Sequence, residues 1–269
     1  MPVKATETAQ HGRLYSSLRT ILPVTGALAF VLGLWLTVTY LLLSPSRRFL
    51  VPPPQEVLTD SFLRWSHLQP LLAAVAVTAK VALTGLALAA VVGCTVAILM
   101  SQANWAERAI YPYAVALQTV PILAIVPLIG LWFGYGFASR VVVCFIIALF
   151  PMIANTLSGL SSPSQDSHDL FTLNKATRWQ RLTKLQLPAA LPAICLGLRI
   201  SSGLSVIGAI VGDFFFEQGA AGIGTLIDLY RVRLQFTDLF AAIILASLFG
   251  IAVFLVFTCL GNLVGRRRR

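Results

Sequence analysis

Hydrophobic positions in this chain run rather than alternate. Six apolar stretches fall at 21–43, 78–100, 111–133, 140–160, 190–216 and 239–264, and the segments between them carry nearly all the charge. At about 1.5 Å of rise per residue, some 20 apolar residues cross about 30 Å of hydrocarbon. Backbone polar groups in lipid need partners within their own segment, so each stretch is expected to be a helix. The pattern predicts an all-α integral membrane protein with six transmembrane helices.

The same pattern divides the chain. Residues 1–20 form an N-terminal tail, 21–43 a first span, and 44–77 a loop. Residues 78–264 form a five-helix core that contains a polar loop at 161–188, and 265–269 form a basic tail. Within 44–77, Pro52-Pro53-Pro54 suits extended chain. Phe62, Trp65 and Leu68 recur every third residue and predict a short helix lying on the membrane surface. The first apolar run is longer than that of a cleaved signal peptide and is expected to stay as a span.

Composition sharpens this picture. Hydrophobic residues make up 57% and charged residues 11%, with a mean hydropathy of +0.83. A soluble domain would carry about 25% charged residues, so lipid must solvate much of this surface. Net charge is +10, but the positive residues sit between spans and at the ends, as topology signals do. The Arg266 to Arg269 tail suits anionic headgroups better than nucleic acid. Cys94, Cys144, Cys195 and Cys259 all lie in apolar runs without C-x-x-C spacing, so neither a disulfide framework nor a metal site is expected.

Charge also orients the chain. One side holds Lys4, Arg13, Arg19, Arg108, Lys175, Arg178, Arg181, Lys184 and Arg266 to Arg269. The other holds Arg47, Arg48, Arg64, Arg140, Arg231 and Arg233. Twelve basic residues against six predict cytoplasmic termini and a cytoplasmic 161–188 loop.

That loop reads SSPSQDSHDLFTLNKATRWQRLTKLQLP. Ser164 and Asp166 can cap a helix running to about Leu173, and Asn174-Lys175 suits a turn. Thr177 and Gln180 make a capping-box pattern that opens a second helix. In it Trp179, Leu182 and Leu185 share a face, and Pro188 is expected to stop the helix. The result is a compact knob with an apolar stripe and a basic rim. Physics alone leaves open whether it lies on the membrane or grips a partner.

The loop resembles the motif of permease subunits of ABC importers, E-A-A-x3-G-x9-I-x-L-P. Here it runs Asp169-Leu170-Phe171, three residues, Lys175, nine residues, Leu185, Gln186, Leu187-Pro188, with the alanines replaced and Lys175 at the usual glycine. Thr119-Val120-Pro121, Pro127-Leu128, Trp132-Phe133-Gly134 and Gly197-Leu198-Arg199-Ile200 are similar to the nitrate/taurine (NitT/TauT) branch.

The resemblance implies a coupling helix between the fourth and fifth spans, seated in a groove of an ABC ATPase. Contact would come from Asp169, Leu170, Leu173, Asn174, Lys175, Ala176, Thr177, Arg178, Trp179 and Gln180. It further implies an extracytoplasmic substrate-binding protein, a second permease copy as a homodimer, and a bacterial inner membrane. The chain has no G-x-x-x-x-G-K-[ST] loop of its own. No cofactor is expected in it, and ATP and Mg would be bound by the ATPase. The branch carries small anions such as nitrate, bicarbonate and sulfonates, which is the leading expectation, with a thiamine-precursor pyrimidine as the alternative.

Within the spans, Gln118, Thr119, Pro121, Asn155, Ser205 and Asp213 are candidates for the translocation pathway. Pro121 and Pro127 are expected to bend the third span. Asp213 suits either an outer gate or a helix cap. Arg199 suits either a charge that attracts anions or a structural partner for another span. Gly85, Gly93, Gly203, Gly208 and Gly212 suit close helix packing, the last two as G-x-x-x-G. An intramembrane enzyme is disfavoured because His11, His67 and His168 lie outside the spans and no span holds a carboxylate pair. An ion-coupled transporter would want more buried acids than Asp213, and internal repeats.

Overall fold

The computed structural model describes Pro23 and residues 25–266, with side chains to residue 263. Lys4, Arg13, Arg19 and Arg267 to Arg269 lie outside the described residues. The described residues form the helices α1 (Thr25–Leu42), α2 (Trp65–Ser101), α3 (Asn104–Thr119), α4 (Ile122–Phe133), α5 (Phe137–Leu160), α6 (Gln165–Leu173), α7 (Arg178–Phe215), α8 (Ile223–Val232) and α9 (Phe236–Arg266), with short helical segments at Pro45–Leu50, Pro54–Glu56 and Val57–Phe62 between α1 and α2. Five of these, α1, α2, α5, α7 and α9, are long and apolar enough to cross a membrane. The bent pair α3–α4 makes a sixth if it counts as one span.

The chain divides into two units. The first holds the described residues up to Leu68 together with Leu234–Ala241. Here the indole N–H of Trp35 donates to the Pro52 carbonyl at 3.0 Å, and its ring lies 5.3 Å from that of Phe240. Ser61 donates to Asp238 at 2.7 Å, and Nδ1 of His67 lies 2.9 Å from the same oxygen. The expected surface helix carrying Phe62, Trp65 and Leu68 is divided: Phe62 ends a separate helical segment, Val57–Phe62, whereas Trp65 and Leu68 belong to the first turn of α2. The Arg64 carbonyl accepts the N–H groups of His67 and Leu68 and so starts that helix. Pro70, the sixth residue of α2, lies inside the helix and removes the bond that the Ser66 carbonyl would accept.

The second unit holds Gln69–Arg233 and Ala242 onward. Its centre is α5, clasped by α2 on one side and α7 on the other. Helices in lipid gain little from excluding apolar surface, so contact rests on small residues and polar bonds. A Cβ on Gly85 would collide with that of Cys144, and one on Gly93 would come within 2.7 Å of the Met152 Cβ. From the α7 side, a Cβ on Gly208 would reach 2.9 Å from the Cys144 Cα, and one on Gly212 would reach 3.1 Å from the Arg140 Cα. Gly203 departs from this group: nothing lies within 4 Å of its would-be Cβ, and it lines an open groove between α7 and α9. Ser201 adds a hydrogen bond to the Ala148 carbonyl at 2.8 Å.

Two prolines act otherwise than expected. Pro188 does not stop the helix, because α7 runs unbroken from Arg178 to Phe215. The backbone widens to a π-type turn over Leu182–Gln186, where the Leu187 N–H donates to the Leu182 carbonyl. That extra residue in the turn eases the carbonyls past a proline ring that has no N–H to offer. Pro127 sits inside α4 without breaking it, whereas Val120-Pro121 turns the chain by 100° between α3 and α4.

Candidate functional site: the polar knob and the bent helix pair

The 161–188 loop folds as two short helical pieces joined by a tight turn. Ser164 caps α6, its hydroxyl accepting the Ser167 N–H. At the far end the Ala176 N–H donates to the Phe171 carbonyl and the Lys175 N–H to the Thr172 carbonyl, both at 2.9 Å. These are the two bonds of a Schellman stop, whose turning residue must enter the left-handed region. Lys175 does so, with φ at +53°. The lysine therefore holds the backbone shape that the motif's glycine would give.

Thr177 then opens α7 with a complete capping box: Gln180 N–H to Thr177 hydroxyl at 3.2 Å, Thr177 N–H to Gln180 carboxamide at 2.9 Å. Arg181 ties the two pieces together by donating to the Thr172 hydroxyl at 2.8 Å. The expected apolar stripe splits in two. Leu182 is buried among Ala97, Met100, Leu157 and Leu160 and roots the knob in the bundle. Trp179 and Leu173 project outward, 71% and 80% exposed. Leu170, Phe171, Asn174, Ala176, Gln180 and Lys184 line a cleft of about 260 Å³ between the pieces.

The second feature is the break at Val120-Pro121. Helix ends leave backbone groups without partners, and in a membrane these are tolerated where they line a cavity. A cavity of about 410 Å³ does open here, walled by Val120, Ile122, Ile125, Ile146, Ile147, Leu204 and Ile207, with Gln118 at its edge. The Gln118 carboxamide is exposed and makes no hydrogen bond with the described residues. Thr119 turns back to the Ala116 carbonyl at 2.8 Å, and Pro121 caps α4.

A family model described as binding-protein-dependent transport system inner membrane component matches residues 85–269, more than half of the chain. The chain belongs to this family. Among relatives, the formylaminopyrimidine transport permease protein ThiX of Halalkalibacterium halodurans is 35% identical over 80% of this chain and 85% of its own. A probable ABC transporter permease protein of Haemophilus influenzae is 35% identical over 73% of this chain and 78% of its own. The bicarbonate transport system permease protein CmpB of Synechococcus elongatus is 29% identical over 93% of this chain and 94% of its own.

The remaining sequence candidates occupy other parts of the permease. Asn155 donates to the Pro151 carbonyl at 2.8 Å along its own helix, and Ser205 is buried with its hydroxyl on the Ala82 carbonyl. Asp213 is buried and paired with Arg140 at 3.1 Å, and it accepts the Gly224 N–H at the start of α8. Of the six pathway candidates, Gln118 lines the cavity, and Thr119 and Pro121 adjoin its lining residues only in sequence. Arg199 stacks its guanidinium 4.5 Å from the Phe254 ring centre on α9. Sequence reasoning missed two features. Arg140 reads as a loop charge at a span's edge, yet it is 2% exposed. The amphipathic segment 223–232 forms α8, which its Gly222-Ile223-Gly224 start could have flagged.

Proposed function

We propose that this permease is one half of the membrane channel of an ATP-driven ABC importer. The knob of α6 and the start of α7 is the handle for a separate ATPase, which binds ATP and Mg and fits Trp179, Leu173 and Leu170 into a groove. The observation that carries this reading is the exposure of three large apolar side chains on a fully capped polar loop. Surface that expensive to hydrate suits a partner that covers it. Under the charge rule the knob and both termini face the cytoplasm of a bacterium, and an external binding protein delivers solute on the opposite face. Five or six spans enclose little by themselves, so a second copy completes the pathway.

For the solute, the cavity at the broken span favours the pyrimidine alternative over an anion. Its lining residues are apolar apart from Gln118, and none carries a charge. A carboxamide with free donor and acceptor suits the edge of a flat heterocycle such as the formylaminopyrimidine of one relative. An anion retains the support of relatives named for aliphatic sulfonates, nitrate and bicarbonate, the last matching along nearly the whole chain. Thermal-shift screening of the partner binding protein against pyrimidines, sulfonates, nitrate and bicarbonate tests the choice. A shift with pyrimidines alone agrees with the cavity, and a shift with an anion alone refutes that assignment.

A further inference from the structure

Arg140 is the largest of the fully buried side chains among the described residues, and its bonds explain why a charge is kept there. One terminal nitrogen donates to the Asp213 carboxylate at 3.1 Å and to the Ala220 carbonyl at 3.0 Å. The other donates to the carbonyls of Phe216 and Gln218. Nε has no hydrogen-bond partner among the described residues. Asp213 in turn accepts the Thr78 hydroxyl at 2.7 Å and the Gly224 N–H at 3.4 Å, while Thr78 accepts the Ile223 N–H at 2.8 Å. The Thr225 hydroxyl returns to the Asp213 carbonyl at 2.9 Å.

The cluster therefore joins α2, α5 and α7 to the loop 216–222 and to the first turn of α8. Glycine is required at the junction. A Cβ on Gly222 would collide with the Asp213 carboxylate, and one on Gly224 with the Ile210 carbonyl. Gly219, at φ +97°, lets the loop double back so that the carbonyls of Phe216, Gln218 and Ala220, alternate residues, face one guanidinium.

Placement gives the cluster its meaning. Thr177 caps the first residue of α7 and Asp213 lies two residues before its last, so the knob and the cluster occupy opposite ends of one unbroken helix. At about 1.5 Å per residue the two ends are roughly 55 Å apart, on opposite faces of a bilayer. We propose that Arg140 and Asp213 form a latch. It fixes the 216–222 loop and the α8 N-terminus to the outer end of α7, so that displacement of the knob moves that loop as one body with the helix. The two are positioning residues, and the loop is where this chain exchanges the state of the ATPase for the state of the binding protein. This rests on the importer reading and orientation proposed above.

The test uses the assembled complex of permease, ATPase and binding protein in lipid nanodiscs, with Asp213→Asn, Arg140→Gln and Thr78→Val compared with the parent. Hydrogen exchange at the Ile223 and Gly224 amides reads the latch directly and does not depend on transport. ATP hydrolysis with and without binding protein reads its consequence. The latch predicts exchange at least tenfold faster in Asp213→Asn. It also predicts loss of most stimulation by binding protein, with basal hydrolysis changed less than twofold. Unchanged exchange, or stimulation and basal rate falling in parallel, overturns it. So does failure of all three variants to assemble, which assigns the pair to folding alone. A parent complex that shows no stimulation while its variants show faster exchange leaves the latch standing and refutes the importer reading.

Discussion

Replacing Lys175 by glycine should tighten the knob rather than loosen it. Lys175 holds φ at +53° in the turning position of the Schellman stop. A side chain in that region costs about 1–2 kcal/mol from the approach of Cβ to the following carbonyl. Glycine removes that strain but loses about 0.5–1 kcal/mol through its freer unfolded chain. The net gain for Lys175→Gly is about 0.5–1 kcal/mol, and Lys175→Val, branched at Cβ, should lose at least ~1 kcal/mol. A change of 1 kcal/mol is about fivefold in a local opening equilibrium. Hydrogen exchange at the Ala176 and Lys175 amides, whose acceptors are the Phe171 and Thr172 carbonyls, reads that equilibrium. Protection should rise severalfold in the glycine variant and fall about fivefold in the valine variant. Protection that falls with glycine would show that Lys175 contributes through its side chain, and the backbone argument would fail.

Other predictions follow from the packing and the cavity. Gly85→Ala should lower the thermal stability of the purified permease by about 1–3 kcal/mol, because the new methyl meets the Cys144 Cβ across two helices; Gly203→Ala, which lies inside α7 and meets nothing within 4 Å, should raise it by about 0.5–1 kcal/mol. Gln118→Leu should abolish most uptake of a pyrimidine in whole cells while leaving assembly with the ATPase intact on size exclusion, since no described residue bonds to its carboxamide. Arg199→Met should lower thermal stability by about 0.5–2 kcal/mol through loss of the stacked Phe254 contact, with substrate selectivity unaltered in uptake competition.

Much of this architecture was legible in the sequence, for reasons that also explain the misses. Apolar runs fix spans because lipid penalises every exception, and capping chemistry at Ser164 and Thr177 is local, so the knob could be read residue by residue. Helix continuity was less legible. Pro70, Pro127 and Pro188 all sit within helices, while Val120-Pro121 breaks one. What decides each case is whether neighbouring turns can re-satisfy the freed carbonyls, and that depends on packing. Arg140 was misread for a related reason. Its position at a span's edge looks like a topology charge until Asp213 and three carbonyls, all more than seventy residues away in sequence, converge on it. Gly85, Gly93, Gly208 and Gly212 were identifiable as packing candidates from composition, but only the fold separates them from Gly203.

The most direct test of the central claim is a cross-link from the knob. A photoreactive residue at Leu173, 80% exposed at the tip of α6, is introduced into the permease expressed with its neighbouring genes, and intact cells are irradiated. The importer reading predicts a single dominant adduct with a phosphate-loop ATPase, formed from the cytoplasmic side and lost in Trp179→Ala. An adduct with an extracytoplasmic protein, or with lipid alone, would contradict it.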